Sequence, residues 1–147
     1  MEQIYPYVQI IHLICAIIFL GYIFFDVVIF MRLKGTLGAD FERVKKAIGS
    51  RAIKIMPVCL FTLIITGGMM MGRWVGSANG GYFGTPLQKI FMLKVTLALI
   101  IAVCVAINLS CRAMGRPAPE FLRVNIHKIA FVFGFIIVLC AKLMFII

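Results

Sequence analysis

The chain has 147 residues, 63% of them hydrophobic, and its mean hydropathy of +1.10 excludes a water-soluble domain. Its formal net charge is +10, from 15 Lys and Arg against 5 Asp and Glu. Most of these positive charges lie in two loops between apolar segments, with no element suited to reading a nucleic-acid groove, so nucleic acid is excluded as a partner.

Four apolar segments follow one another along the chain, each long enough to cross a bilayer as a helix of about 20 residues. Backbone groups in lipid must be hydrogen-bonded internally, and the alternating pattern of barrel strands is absent, so each segment is predicted to be helical. The sequence therefore predicts an all-α fold, a single integral membrane four-helix bundle over residues 1–147. The predicted spans are residues 6–31, 53–72, 87–111 and 126–147.

The loop charges predict how these spans are oriented. The loop between spans 1 and 2 carries six Lys and Arg and the loop between spans 3 and 4 carries three, whereas the loop between spans 2 and 3 has only Arg73. Because Lys and Arg are enriched in cytoplasmic loops, both termini are predicted to lie outside. We expect a bacterial inner membrane, with the basic loops contacting anionic lipids of its inner leaflet. The N-terminus lacks the basic start of a cleaved signal.

Two loop segments have a predicted conformation. Residues 39–51 (ADFERVKKAIGSR) place apolar side chains at helical spacing, which predicts either an amphipathic helix on the inner surface or an extension of span 2. Residues 115–119 (GRPAP) predict a break without helix between spans 3 and 4.

Ionisable residues within the spans are the strongest functional signal. His12 in span 1 and Lys94 in span 3 lie on helices that run in the same direction, each about 10 Å below the outer edge at 1.5 Å per residue. Fourteen residues further on come Asp26 and Asn108, which fall close to the same helical face. Such residues are costly in lipid and usually functional, so each helix is predicted to carry a polar stripe.

Each of these residues also has a structural interpretation. His12 either binds a ligand or joins two helices by hydrogen bonds. Lys94 takes part in the same site or extends its side chain to the outer surface, as Lys142 also could. Asp26 serves either as a proton relay or as the partner of Asn108 or of the basic inner rim. The five cysteines show no CxxC pair and are expected to be small apolar packing residues.

Coordination chemistry indicates which metal or cofactor the polar residues of these helices could bind. Zinc takes three or four protein ligands, and the spans offer one histidine and scattered cysteines. A haem iron is held by a single proximal histidine, and the core of a helix bundle is a common cofactor site. His12 is therefore the predicted axial ligand of a b-type haem, since no CxxCH motif is present. Lys94 is either the second ligand or a cationic partner, because His127 lies about a bilayer thickness away.

Motifs in all four spans carry a family resemblance. They are Gln9-Ile10-Ile11-His12 and Gly21-Tyr22-Ile23-Phe24 in span 1, Arg51–Pro57 followed by Thr66-Gly67 in span 2, Phe91–Leu97 in span 3, and Arg123, Asn125 and Lys142 near span 4. With these motifs most of the chain remotely resembles the HemJ-type family of four-helix membrane proteins, which is associated with the oxidation of protoporphyrinogen IX.

The resemblance implies roles for individual residues. His12 corresponds to the haem-linked histidine of the family and Lys94 to its essential lysine. The family's Arg-Asn…Lys pattern falls on Arg123, Asn125 and Lys142, which the resemblance implies as further cofactor-binding residues. The implied reaction removes hydrogens from a porphyrinogen and passes the electrons to quinone or a respiratory-chain partner, with Lys94 and, on the proton-relay interpretation, Asp26 as catalytic residues.

The chain also departs from the family pattern. Residues 126–128 (IHK) follow Asn125 where the family has an acidic residue and then proline, and Asp26 lies near the place of an arginine late in the first helix. The haem site is thus better supported than the enzyme activity.

Two other functions remain open. CopD-like copper-resistance membrane proteins share similar histidine-bearing helices, and copper could be held by His12, Cys15 and the cluster Met69–Met71, although such methionines are more often apolar filler. The chain could instead be a structural subunit or small transporter without a cofactor. Gly68 and Gly72 form a GxxxG pair that fits a contact within the bundle or between copies of the chain.

Overall fold

The computed structural model describes residues 2–147, most of which are helical, and the all-α prediction is confirmed. Among these residues extended pairing is limited to one bridge, between Gly76 and Gly81. The α-helices are α1 (Tyr5–Phe24), α2 (Lys34–Leu37), α3 (Phe41–Met71), α4 (Pro86–Ala113) and α5 (Glu120–Leu143). A π-helical turn (Phe25–Ile29) and 3-10 turns (Phe30–Leu33, Gly38–Asp40 and Ser77–Asn79) connect them.

Three continuous helical stretches in the described chain are long and apolar enough to cross a membrane: Tyr5–Met71, Pro86–Ala113 and Glu120–Leu143. The first has 67 residues and contains both α1 and α3, which correspond to the first two predicted spans. At 1.5 Å per residue a straight helix of that length would be about 100 Å long, over three times the thickness of a hydrocarbon core. The stretch is therefore too long to cross a membrane once as a single straight helix.

Two helices of the structure begin earlier along the chain than the predicted spans do. Residues 41–51 continue into α3 without a break, so the extension of span 2 is found and not a separate surface helix. α5 begins six residues before the predicted span 4 and ends at Leu143. The predicted break before it is confirmed, because residues 116–119 are not helical.

The chain divides into two compact units, Met1–Thr66 and Gly67–Ile147. In the first unit the chain reverses direction between α1 and α3. Gly38 has φ of +53° and ψ of −121°, a backbone conformation that residues other than glycine rarely adopt. Phe30, which is 2% exposed, stacks on Phe41 with ring centroids 5.0 Å apart and fixes the start of α3 against the turn.

The second unit is built on the packing of α4 against α5. α4 begins with a capping box, in which the Thr85 hydroxyl accepts from the Gln88 amide and the Gln88 side chain accepts from the Thr85 amide. A buried cluster of Val75, Phe91 and Met144 joins the loop before α4 to the ends of both helices.

Candidate functional site

His12 is held by a hydrogen bond between two helices of the first unit. Its Nδ1 lies 2.8 Å from the Oγ1 of Thr66, 54 residues away on α3. The Thr66 hydroxyl also lies 2.6 Å from the carbonyl oxygen of Thr62 and 3.3 Å from that of Leu63. Thr66 is 6% exposed and His12 is half-buried, so the contact is partly covered by the protein.

The contacts of Thr66 assign the protons of His12. A hydroxyl has one proton to donate, and two carbonyl oxygens, which can only accept, compete for it. The Thr66 oxygen therefore accepts the Nδ1–H of His12. In the neutral imidazole the lone pair is then on Nε2, which is the arrangement of a histidine that ligates a metal through Nε2 while a neighbouring group fixes its other nitrogen.

The predicted polar stripe of α1 lies on the covered side of that helix. Phe19 and Ile23 are buried, His12 and Cys15 are half-buried, and Asp26 is 8% exposed. The side chains between them on the sequence, such as Leu13 and Ile17, are exposed. Helical phase thus placed these five residues on one face correctly.

Asp26 lies where α1 changes to a π-helical turn. The amide of Phe30 bonds to the carbonyls of Phe25 and Asp26, which widens the helix at this point. The Asp26 carboxylate is close enough to Tyr22 to interact with it electrostatically. π-Helical turns are frequent at functional sites, and here the turn brings a buried carboxylate next to a phenol at the inner end of the predicted span.

Two contacts show how α1 and α3 face each other. His12 on α1 bonds to Thr66 on α3, and Tyr22, ten residues further along α1, lines a groove with residues of α3 between Ala47 and Met56. The residue number therefore rises on one helix as it falls on the other, which makes the pair an antiparallel hairpin.

Near the turn of this hairpin there is an open groove of about 510 Å³. Tyr22 lines it from α1, and α3 contributes Ala47, Ile48, Arg51, Ala52, Ile55 and Met56. Its lining is apolar apart from Tyr22 and Arg51, so it suits the apolar part of a lipid-like molecule.

Lys94 belongs to the second unit, and its pairing with His12 stays a prediction. Its Nζ lies 4.9 Å from the centroid of the Phe91 ring, one turn earlier on α4, in a cation–π contact. It is half-buried and close to the thiol of Cys140 on α5. Lys94 therefore faces the α4–α5 interface at least in part, as its predicted stripe requires.

Of the residues near span 4 that carry the resemblance, none is among the buried residues of α5, and Asn125 is half-buried. That face consists of Leu122, Ile126, Ala130, Gly134 and Cys140. Arg123 and Lys142 are exposed, and the Asn125 side chain donates to the Phe121 carbonyl of its own helix at 3.1 Å.

The methionine cluster is divided between two environments. Met69 is exposed, whereas Met71 packs on the buried cluster around Phe91. Over residues 2–147 no three His, Cys, Asp or Glu side chains come together as a metal site. Met71 thus acts as apolar filler, the commoner role of such a residue.

Sequence reasoning missed Thr66, the partner of His12 on α3. Thr62 and Thr66 are four residues apart and so share a face of the helix, which is a usable signal, but this spacing does not set that face against His12. The missing information was the register of α3 along α1, which the periodicity of either helix alone does not contain.

Comparison of the chain with known protein families, with curated proteins and with solved structures found no match.

Proposed function

We propose that this protein is an integral membrane b-type haem protein with a redox function. The observation that carries the proposal is the orientation of His12. A buried hydroxyl accepts its Nδ1–H at 2.8 Å, so that Nε2 is the basic, ligand-forming nitrogen. Orienting a histidine in this way removes rotational freedom before the ligand binds, which favours tight coordination.

The donor set fits a haem better than it fits a bare metal ion. A haem supplies four equatorial nitrogens itself and needs one proximal histidine from the protein. A structural zinc ion needs three or four protein ligands, and no such group is formed by the described side chains. His12 would hold the haem, and Lys94 would be its second ligand or a cationic partner of its carboxylates.

The proposal includes the membrane arrangement. The α1–α3 hairpin and the pair α4 and α5 provide four helical segments of sufficient length, and we infer that they cross the membrane four times as one bundle. The basic loops then face the cytoplasm and both termini lie outside, in a bacterial inner membrane. The exposed Ile and Leu side chains of α1 support contact with lipid.

The haem would supply one-electron chemistry, and the chain would hold the haem and exchange protons during the reaction. The reaction suggested by the resemblance is the removal of hydrogens from a porphyrinogen, with electrons passed to quinone or a respiratory-chain component. Asp26, buried beside Tyr22, is suited to accept and release a proton near the inner end of α1. Arg123 and Lys142 are exposed cations that would interact with anionic groups at the two membrane surfaces.

A specific observation favours copper as the second candidate ligand. Thiols are the soft ligands that Cu(I) prefers, and Cys15 lies one turn from His12 on the covered face of α1. Copper handling therefore remains the alternative function. Metal analysis distinguishes the two, because a copper protein contains copper without haem.

The two histidines of the chain provide a matched pair of variants. We would purify His12→Ala and His127→Ala in detergent and measure the Soret band and the haem content per chain. The proposal expects His12→Ala to lose the band and His127→Ala to keep it. Full haem content in His12→Ala, or haem-free wild-type protein that contains copper, would refute it.

A further inference from the structure

The open groove between α1 and α3 is a feature of the first unit that the haem proposal leaves unused. It has a volume of about 510 Å³, and all of its lining residues belong to that unit. Tyr22 lines it from α1, and along α3 it extends from Ala47 to Met56. Nine steps of 1.5 Å give it a length of about 14 Å, close to half the thickness of a hydrocarbon core. The groove is therefore about as long as one leaflet is thick.

The sequence of α3 explains why this space is open and apolar. The lining positions recur four residues apart, so they form one face of the helix. Two of them are alanines, Ala47 and Ala52, whose side chains end at Cβ and leave room that a longer side chain would fill. The remaining apolar lining comes from Ile48, Ile55 and Met56. Such a surface suits a hydrocarbon chain.

The two polar side chains among the lining residues are both hydrogen-bond donors. Arg51 is exposed, and its guanidinium is always charged and can donate two parallel hydrogen bonds to one phosphate group. Tyr22 is half-buried and carries a hydroxyl that can donate to a phosphate or an ester oxygen. The groove thus combines an apolar wall with a donor pair suited to an anion.

The charges on α3 around the groove are almost all positive. Glu42, at the start of α3, is its only acidic residue. The basic residues of α3 are all exposed: Arg43, Lys45, Lys46, Arg51 and Lys54. Lys54 follows Arg51 by three residues and is therefore its neighbour on the helix surface. Asp26, one turn from Tyr22 on the chain, is 8% exposed and is not among the lining residues. This charge distribution attracts an anion and gives a neutral molecule no advantage.

The proposed membrane arrangement places the polar part of the groove at the membrane surface. Arg51 precedes the predicted span 2, residues 53–72, by two residues and lies at its cytoplasmic end. An arginine there can lay its apolar stem along the helix and keep its charge at the level of the lipid headgroups. Ala52, Ile55 and Met56 follow in the direction of the hydrocarbon. A donor pair followed by an apolar wall matches the order of groups in a phospholipid.

We propose that the groove binds one anionic phospholipid, whose phosphate contacts Arg51 and Tyr22 and whose acyl chain lies against Ala52, Ile55 and Met56. Basic pockets between membrane helices on the cytoplasmic side recognise lipid headgroups in this way. The site differs from a general attraction of the basic loops to anionic lipids, because it holds one lipid and depends on one particular cation. The bound lipid fills the space between α1 and α3 near their turn. The inference goes beyond the haem proposal and uses only its membrane arrangement.

Native mass spectrometry of the purified chain in detergent tests the proposal. The protein is titrated with phosphatidylglycerol and, separately, with phosphatidylcholine that has the same acyl chains. We expect one phosphatidylglycerol to be retained per chain and phosphatidylcholine to bind about tenfold more weakly, since it has no net charge. Equal retention of the two lipids would overturn the proposal. Displacement of phosphatidylglycerol by an equal concentration of a neutral ubiquinone would do the same.

Two charge variants separate the site from a general effect of surface charge. Arg51→Gln and Lys45→Gln each remove one positive charge from α3, and Lys45 is exposed but does not line the groove. The proposal expects Arg51→Gln to lower the affinity for phosphatidylglycerol about tenfold, because a charge-assisted hydrogen bond is lost. Lys45→Gln should leave the affinity unchanged. Equal losses in the two variants would show that only the total charge matters, and would contradict the site.

A second pair of variants changes the shape of the groove at constant charge. Ala52→Phe places a ring in the open space, whereas Val58→Phe adds the same ring at a 63% exposed position of α3 outside the groove. Lipid retention should be lost in the first variant and kept in the second. Full retention by Ala52→Phe that is folded by circular dichroism would refute the proposed location. These measurements contain no haem signal, so their failure is distinguishable from failure of the haem proposal.

Discussion

Removing the hydroxyl of Thr66 tests the proposed orientation of His12 with little change in side-chain size. Thr66→Val keeps the shape of the side chain but deletes the oxygen that accepts the Nδ1–H at 2.8 Å. Loss of the acceptor of a covered hydrogen-bond donor costs about 1–3 kcal/mol. Loss of the group that orients a ligating histidine typically lowers affinity about 10–100-fold, which is about 1.4–2.7 kcal/mol.

The matched control for this variant is Thr62→Val, one turn earlier on α3. The Thr62 hydroxyl bonds to the carbonyl oxygen of Val58 at 2.9 Å within the same helix. Loss of that bond removes no contact of His12, so haem affinity should be unchanged. Competition between the protein and a haem-binding apoprotein of known affinity measures both variants. Equal haem affinity in Thr66→Val and Thr62→Val would refute the proposed role of the hydroxyl.

Three further predictions concern the stability of the fold, measured by unfolding in a denaturing detergent. Phe30→Ala removes a ring that is 2% exposed and stacked on Phe41, and should cost about 3–5 kcal/mol, whereas Phe61→Ala, at a 65% exposed position, should have a small effect. Gln88→Ala should lower the midpoint of unfolding, because the side chain accepts from the backbone before α4 and donates to a loop carbonyl at 2.8 Å; an unchanged midpoint would contradict this role. Gly38→Ala should cost about 1–2 kcal/mol because of its positive φ, and a neutral result would show that the turn relaxes.

The sequence predicted those features that depend on one helix at a time. The helical class follows from the length and apolar character of the segments, and the buried position of Asp26 follows from its helical phase relative to His12. The break at residues 116–119 follows from its prolines. Each of these properties is local, so neighbouring residues are sufficient to determine it.

Features that depend on two segments could not be predicted in this way. The contact of His12 with Thr66 and the groove between Tyr22 and α3 require the register of α3 along α1, which the turn between the helices sets. That turn contains π-helical and 3-10 segments, and their exact lengths have no simple sequence signal. The continuity of residues 41–51 with α3 was one of two open alternatives, because an amphipathic pattern is compatible with both.

The visible absorption spectrum of the purified wild-type protein, before and after addition of hemin, tests the central claim most directly. The proposal predicts a Soret band that is shifted from that of free hemin, saturates at a fixed haem-to-chain ratio and changes position on reduction. A spectrum that remains that of free hemin at every ratio, in protein that is folded by circular dichroism, would contradict it.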